Sequence, residues 1–149
     1  QIKFMIKKKC NISHTTYTIR NKKNIIIDIR KAKNYYKFQE LLPSCDIGLS
    51  TVVAKKKIFT KNTKFSKLKT KEDFTLWLKI LKKNIHIIGI NKNLATWYQT
   101  KNSLSSNSVQ KIKDAYLVYS KYMNFSPFMS VILTFLLSFN FIKKNFFKE

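Results

Sequence analysis

The sequence predicts an α/β domain. Strand-length stretches rich in Thr, Tyr, Ile and Val alternate with segments whose apolar residues recur at three- and four-residue spacing, and only two glycines and two prolines interrupt them. The 149 residues suffice for one domain with one hydrophobic core, and a hydrophobic content of 44% fits an ordered chain.

Residues 1–5 form a short amphipathic piece, read as the end of a helix. SHTTYTIR alternates and is rich in Thr, Tyr and Ile, which predicts a strand. Residues 21–24 are polar and turn-like, and IIIDI at 25–29 supplies a second strand, so the pair predicts a β-hairpin. Residues 35–42 suggest a short helix stopped by Pro43. In CDIGLSTVVAKK, the residues Ile47, Leu49, Val52 and Val53 predict a largely buried strand, with Gly48 marking a bulge or a close backbone approach. Residues 58–67 read as polar and irregular.

A helix starting near Thr70, a candidate N-cap, is the best-defined element. Phe74, Trp77, Leu78 and Leu81 fall at i, i+3, i+4 and i+7, the spacing of a core-facing stripe. Glu72 and Asp73 occupy the first turn and Lys79, Lys82 and Lys83 the last, so the charges complement the helix dipole. Trp77 reads as core, and its removal is expected to cost about 3–5 kcal/mol of stability. A strand is expected over residues 85–90, followed by NLATWYQTKNSLSSN as a polar segment anchored by Leu94 and Trp97. A further helix should start at Asn107 as N-cap and bury Val109, Ile112, Tyr116, Tyr119 and Met123.

The tail differs in kind. Residues 125–142 carry no charge, a run of about eighteen that lies near the lower limit for crossing a bilayer. Ser126, Ser130, Thr134 and Ser138 recur every four residues, forming one narrow polar stripe on a helix otherwise made of Phe, Leu, Ile, Val and Met. Lys143, Lys144 and Lys148 follow.

Thirty Lys and Arg against seven Asp and Glu give a formal charge of +23, which predicts attraction to polyanions without saying which. Much of it comes with Asn, Ile and Phe in the mixture an AT-rich gene writes at tolerant surface positions. A basic nucleic-acid-binding module is the alternative function this charge allows, although no RRM, KH, OB or helix-turn-helix signature accompanies it. Cys10 and Cys45 have no CxxC partner and read as structural thiols. His14 and His86 lie in strand-like stretches without partners at ligand spacing, so no metal site is expected in this chain. The short apolar start followed by Lys7, Lys8 and Lys9 is not a secretory signal, and an upstream part of the natural chain is expected before Gln1.

Five ordered blocks give the chain a resemblance. QIKFM, SHTTY, ELLPSCDIGLSTVV, TKEDFTLWLKILKK and LATWYQTKNSLSSN together resemble the second half of bacterial family 2 glycosyltransferases that build lipopolysaccharide, capsule or teichuronic-type polymers. The resemblance implies the C-terminal, acceptor-side part of a Rossmann-like GT-A domain over residues 1–124, with 125–149 as an apolar, membrane-associated tail. It implies inverting transfer from a nucleotide-sugar donor to a glycan or lipid-linked acceptor, at the inner face of the cytoplasmic membrane. Asp73 would be the catalytic base, with Glu72 beside it, and Cys45, Ser50 and Thr51 would line the acceptor cleft. The family's closing segment carries an arginine where this chain has Tyr98, between Trp97 and Gln99, so neutralising the leaving diphosphate would fall to Lys101. A divalent cation, Mg or Mn, is implied for the full enzyme, held by residues upstream of this chain. No acidic pair before Glu72 is spaced to hold it, so this chain alone is expected to be inactive.

Overall fold

The hairpin is present and seeds the sheet. In the computed structural model, which describes residues 1–100 and 107–146 (the side chains of 145 and 146 excepted), β1 (Ile12–Arg20) pairs antiparallel with β2 (Ile26–Arg30). In the turn, the Asn21 side chain accepts from the amides of Lys23 and Ile25 at 2.9 and 3.0 Å, and Asn24 takes φ 63°, a left-handed conformation that asparagine tolerates. β3 (Val53–Ala54) pairs antiparallel with Ile12 and Ser13, and β4 (Ile88–Tyr98) runs parallel to β1 from Ser13 to Arg20. A strand has two edges, so β2 and β3 share one edge of β1 and β4 takes the other. β1 is therefore the centre of the four described strands.

Two strand expectations are corrected. β4 continues far beyond residue 90, into the segment read as polar, and its supposed anchors Leu94 and Trp97 are exposed. Its pairing slips twice, so that Thr15, Thr16 and Tyr17 face Ile90, Asn93 and Ala95. These bulges insert extra residues and erase the two-residue alternation from which a strand is recognised. Conversely, the buried strand expected across residues 45–56 shrinks to Val53–Ala54, because Leu49–Thr51 closes a 3-10 turn in which Thr51 Oγ1 donates to the Gly48 carbonyl at 2.7 Å. Gly48 does mark a close approach: a β-carbon there would stand 3.0 Å from the Tyr17 ring.

Helices cover the sheet. α1 (Ile2–Lys7) precedes β1, and the helix expected at 35–42 contracts to α2 (Phe38–Leu41), because Tyr35 forms a β-bridge with Ile87 instead. α3 (Glu72–Leu81) begins two residues after Thr70 and is buried beyond its predicted stripe: Thr75, Leu76 and Ile80 join Phe74, Trp77, Leu78 and Leu81 out of solvent. α3 is thus the central helix of the core, not a surface helix with one wet face.

α4 (Ser108–Leu117) starts as expected, with Asn107 accepting from the Gln110 amide at 3.0 Å, but its inward face differs. Val109 and Ile112 are exposed, while Asp114, Ala115, Val118, Tyr119 and Met123 are buried. A π-helical turn at Val118–Tyr122 changes the residues per turn, and Asp114 is drawn inward by hydrogen bonds, which together rotate the stripe. α5 (Pro127–Phe146) packs on α4 and this turn, and places Leu133 and Leu137 in the same core as Trp77 and Tyr119.

Candidate functional site

The acidic first turn of α3 is held by a residue from elsewhere in the chain. Thr70 is not an N-cap: its amide and its hydroxyl both donate to Asp114 Oδ2, each at 2.8 Å, and Gln110 Nε2 donates to Asp114 Oδ1 at 2.9 Å. The position before the helix is Lys71, whose φ of 65° puts a non-glycine residue in the left-handed region at a cost of about 1 kcal/mol. Its carbonyl accepts from the amide and the hydroxyl of Thr75 at 3.0 and 2.9 Å. Asp114 and Lys71 together fix where Glu72 and Asp73 stand.

Asp73 is mostly withdrawn from solvent, and burial raises its pKa above the usual carboxylate range. The Phe74 amide, donating to Oδ1 at 2.7 Å, opposes that rise, the Glu72 charge adds to it, and the Lys71 ammonium opposes it again. A carboxylate with a raised pKa, fixed at a helix start, is chemically a candidate proton acceptor.

Beside this turn lies a cleft of about 460 Å³. Tyr17, Ile19, Ile27 and Trp97 of the sheet form one side, residues 43–46 and Lys71 another, and Lys111 with Leu137, Asn140, Phe141 and Lys144 a third. α5 is tied to this cleft: Asn140 Nδ2 donates to the Pro43 carbonyl at 2.9 Å, and Lys144 bonds Ser44 at 2.6 Å and forms an ion pair with Asp46. Burial pushes the Asp46 carboxyl up, but hydrogen bonds from Lys144 and Ser44 and the charges of Lys144 and Lys33 outweigh it and hold its pKa below the ordinary value. Cys45 stands within electrostatic reach of Lys71, Asp73, Asp46 and Lys144, and burial raises its thiol to about 11, so it is a neutral wall and not a thiolate nucleophile. A second cavity of about 430 Å³, around Cys10 and His86, has no carboxylate among its described lining residues.

The residues singled out from the sequence divide by place. Cys45 and Trp97 line the cleft, and Asp73 is not in its lining but lies within electrostatic reach of two residues that are, Lys71 and Cys45. Ser50 and Thr51 lie in the 3-10 turn outside the lining, where the Thr51 carbonyl accepts from Gln1 Nε2 at 3.1 Å. Tyr98 also falls outside it, and its hydroxyl bonds Asn24 at 3.3 Å. Lys101 lies outside the described residues. His14 is structural: its Nε2 bonds the Lys33 carbonyl at 2.7 Å, and burial lowers its pKa.

Two curated relatives share this stretch. A putative teichuronic acid biosynthesis glycosyltransferase of Bacillus subtilis strain 168 (TuaG) is 28% identical over 120 residues, covering 80% of this chain and 47% of the relative. A UDP-Glc:alpha-D-GlcNAc-diphosphoundecaprenol beta-1,3-glucosyltransferase of Escherichia coli (WfgD) is 32% identical over 114 residues, covering 76% of this chain and 44% of the relative. The chain belongs to the family 2 glycosyltransferases. This glycosyltransferase chain spans less than half the length of the curated relatives it matches. No family model matches it, and no solved structure does. Neither relative carries a nucleic-acid-binding name, and that alternative finds no support.

Sequence reasoning missed five residues that build the candidate site: Asp46, Lys71, Lys111, Asp114 and Lys144. Asp114 sits in KIKDAYLV as an ordinary helical charge, and only the π turn behind it hints at a rotated face. Lys71 and Lys111 are two among thirty basic residues, so nothing local distinguishes them. Among the described residues, no three of His, Cys, Asp and Glu gather as metal ligands. The described residues thus do not fit the divalent cation implied for the family.

Proposed function

We propose that the protein carrying this chain transfers a sugar, with inversion, from a nucleotide-sugar donor to a lipid-linked glycan acceptor in cell-surface polysaccharide synthesis. The present chain supplies the acceptor side of a GT-A domain. Asp73 removes the acceptor hydroxyl proton while that oxygen bonds the anomeric carbon, and the bond from that carbon to the nucleoside diphosphate breaks on the opposite face. Glu72 raises the proton affinity of Asp73, and Asp114 is a positioning residue that holds the turn through Thr70. The observation that carries this reading is the partly buried carboxylate of Asp73, its pKa raised, at the start of α3, near a cleft walled by Cys45, Lys71 and Trp97. The relatives, one a teichuronic acid enzyme and one acting on a diphosphoundecaprenol-linked sugar, support the substrate classes. The cation the family implies would be bound by other residues of the protein.

Asp73→Asn is the test. Turnover of UDP-glucose onto a diphosphate-linked acceptor should fall by about 10²–10⁴-fold, measured by product chromatography on the whole protein. The same change should not weaken the fold. The folded state holds the Asp73 proton more tightly than the unfolded chain does, so stability declines as pH rises from the ordinary carboxylate pKa, about 4, through the raised one. An Asn escapes that loss and should melt higher at neutral pH. Normal turnover in Asp73→Asn would sink the base assignment.

We also read α5 as lying in the plane of the membrane at its cytoplasmic face. Pro127–Lys144 is long and apolar enough to cross a membrane, and only 22% of it is buried in the protein. Phe128, Val131, Ile132, Phe135, Leu136 and Phe139 face outward, and lysines follow at the helix end.

A further inference from the structure

We propose that Lys71 and Lys111 form a subsite for the phosphate groups of a lipid-linked acceptor, whose hydrocarbon leaves the cleft past Phe141 along the outward face of α5. This rests on the transferase reading above and assigns it two binding residues.

The cleft contains four cationic side chains, and they are not equivalent. Arg30 pairs with Asp28 at 2.8 Å and Lys144 with Asp46. Lys71 and Lys111 have no ion pair among the described residues, although both are partly buried and line the same cavity. Each lies over an aromatic ring instead, Lys71 Nζ 5.9 Å from the Phe74 centroid and Lys111 Nζ 5.3 Å from the Phe141 centroid. They are also close enough to repel each other: the pKa of Lys111 is lowered by burial first and by Lys71 second. Asp73 lies within electrostatic reach of Lys71 but forms no ion pair with it, so two partly buried ammonium groups that repel each other across one cavity favour an anion that bridges them. A phosphate or diphosphate supplies the charge and several acceptor oxygens.

The surroundings select the rest of the molecule. Lys71 is two residues from Asp73, so a phosphate held there leaves a sugar attached to it beside the base. On the opposite side, Phe141 stands at the cleft and is itself half exposed, next to the apolar outer face of α5. A nucleoside leaving in that direction would set its ribose hydroxyls against Phe141 and Leu137, whereas a hydrocarbon would find like surface.

Isothermal titration of the whole chain with inorganic pyrophosphate, in about 0.15 M salt to screen the general surface charge, tests the subsite. Lys111→Gln and Lys71→Gln should each weaken binding about tenfold or more, Lys111→Arg should retain most of it, and Lys22→Gln, on the exposed hairpin turn, should change nothing. Equal effects at Lys22 and Lys111, or no binding to the folded wild type, would overturn the subsite. A second arm compares phosphatidylcholine vesicles carrying a polyisoprenyl diphosphate with vesicles of equal charge made with phosphatidylglycerol. Preference for the former, lost in Lys111→Gln while phosphatidylglycerol binding persists, supports the lipid assignment. Pyrophosphate binding without that preference overturns it in favour of a free phosphate or nucleotide. The binding readout is independent of turnover, so normal catalysis by Asp73→Asn would remove the transferase mechanism and leave the subsite standing.

Discussion

β1 carries Ser13, His14, Thr15, Thr16 and Thr18 within nine residues and buries all five, whereas α5 turns Phe128, Phe135, Phe139 and Phe141 outward and buries Ser130 and Thr134. In the strand, both edges are paired and both faces covered, so position alone removes it from water. Most of its polar groups are satisfied inside: Thr16 Oγ1 accepts from the Ala32 amide at 3.0 Å and donates to Asn91 at 3.2 Å, and His14 bonds Lys33. In the helix, Thr134 and Ser138 donate to carbonyls four residues back at 2.7 and 2.9 Å. The stripe is thereby self-satisfied and small, and it lets α5 sit close on the domain. Burial in this molecule follows place in the topology and local hydrogen bonding, while the polarity of a segment only says what its outward face must meet. A helix that hides its hydroxyls and shows its phenylalanines is consistent with the in-plane membrane position proposed for α5.

The largest effect should come from reversing the outward face. Phe135 and Phe139 are 72% and 64% exposed, so Phe135→Glu with Phe139→Glu removes little from the fold and much from any lipid contact. Flotation with anionic vesicles should show partitioning reduced by about 100-fold or more, with an unchanged melting temperature. Unchanged flotation would mean that lipid is not what this face meets. Point variants are preferable to deleting residues 125–149, because Leu133 and Leu137 belong to the common core.

Next in size is the contrast across the same helix. Leu137→Ala, at 4% exposure, should destabilise by about 2–5 kcal/mol in urea titration, while Phe135→Ala should stay within about 0.5 kcal/mol. Equal losses would mean that the two faces are assigned the wrong way round. In the strand, Thr16→Val keeps the shape and leaves the Ala32 amide without its acceptor, for an expected loss of about 1–3 kcal/mol.

The same contrast explains what the sequence could tell. The hairpin, the Asn107 cap and the α3 helix were legible because their signals are local: turn residues, a capping side chain, a dipole-matched helix. β4 was not, since its bulges against β1 hide the alternation, and neither was the inward face of α4, which Asp114 and the π turn rotate. The tail's polar stripe was visible as spacing, but which way it faced depended on α4 and the core. Of the site, Asp73 and Cys45 were readable through ordered family blocks. Lys71, Lys111 and the Asp46–Lys144 pair were not, because a cleft that gathers residues from Tyr17 to Lys144 leaves no local mark on a chain with thirty basic residues.

The smallest effect separates the two carboxylates of the site by the sign of their pH dependence. The pKa of Asp46 is held below its ordinary value by Lys144 and Ser44, so its stabilisation is complete above about pH 4 and is lost as pH falls through the depressed value. Asp73 runs the other way, its ionisation weakening the fold as pH rises through the raised value. Lowering the pH should therefore first relieve Asp73 and only later release α5 from the 43–46 segment. Asp46→Asn should cost about 1 kcal/mol at neutral pH, a modest figure because the Lys144 side chain remains 32% exposed, and should remove part of the acid loss. Urea midpoints measured from pH 7 to pH 3 for wild type, Asp46→Asn and Asp73→Asn give the comparison. If Asp46→Asn shows the same acid slope as wild type, the Lys144 latch does not hold the tail helix to the cleft, and α5 is kept in place by Leu133 and Leu137 alone.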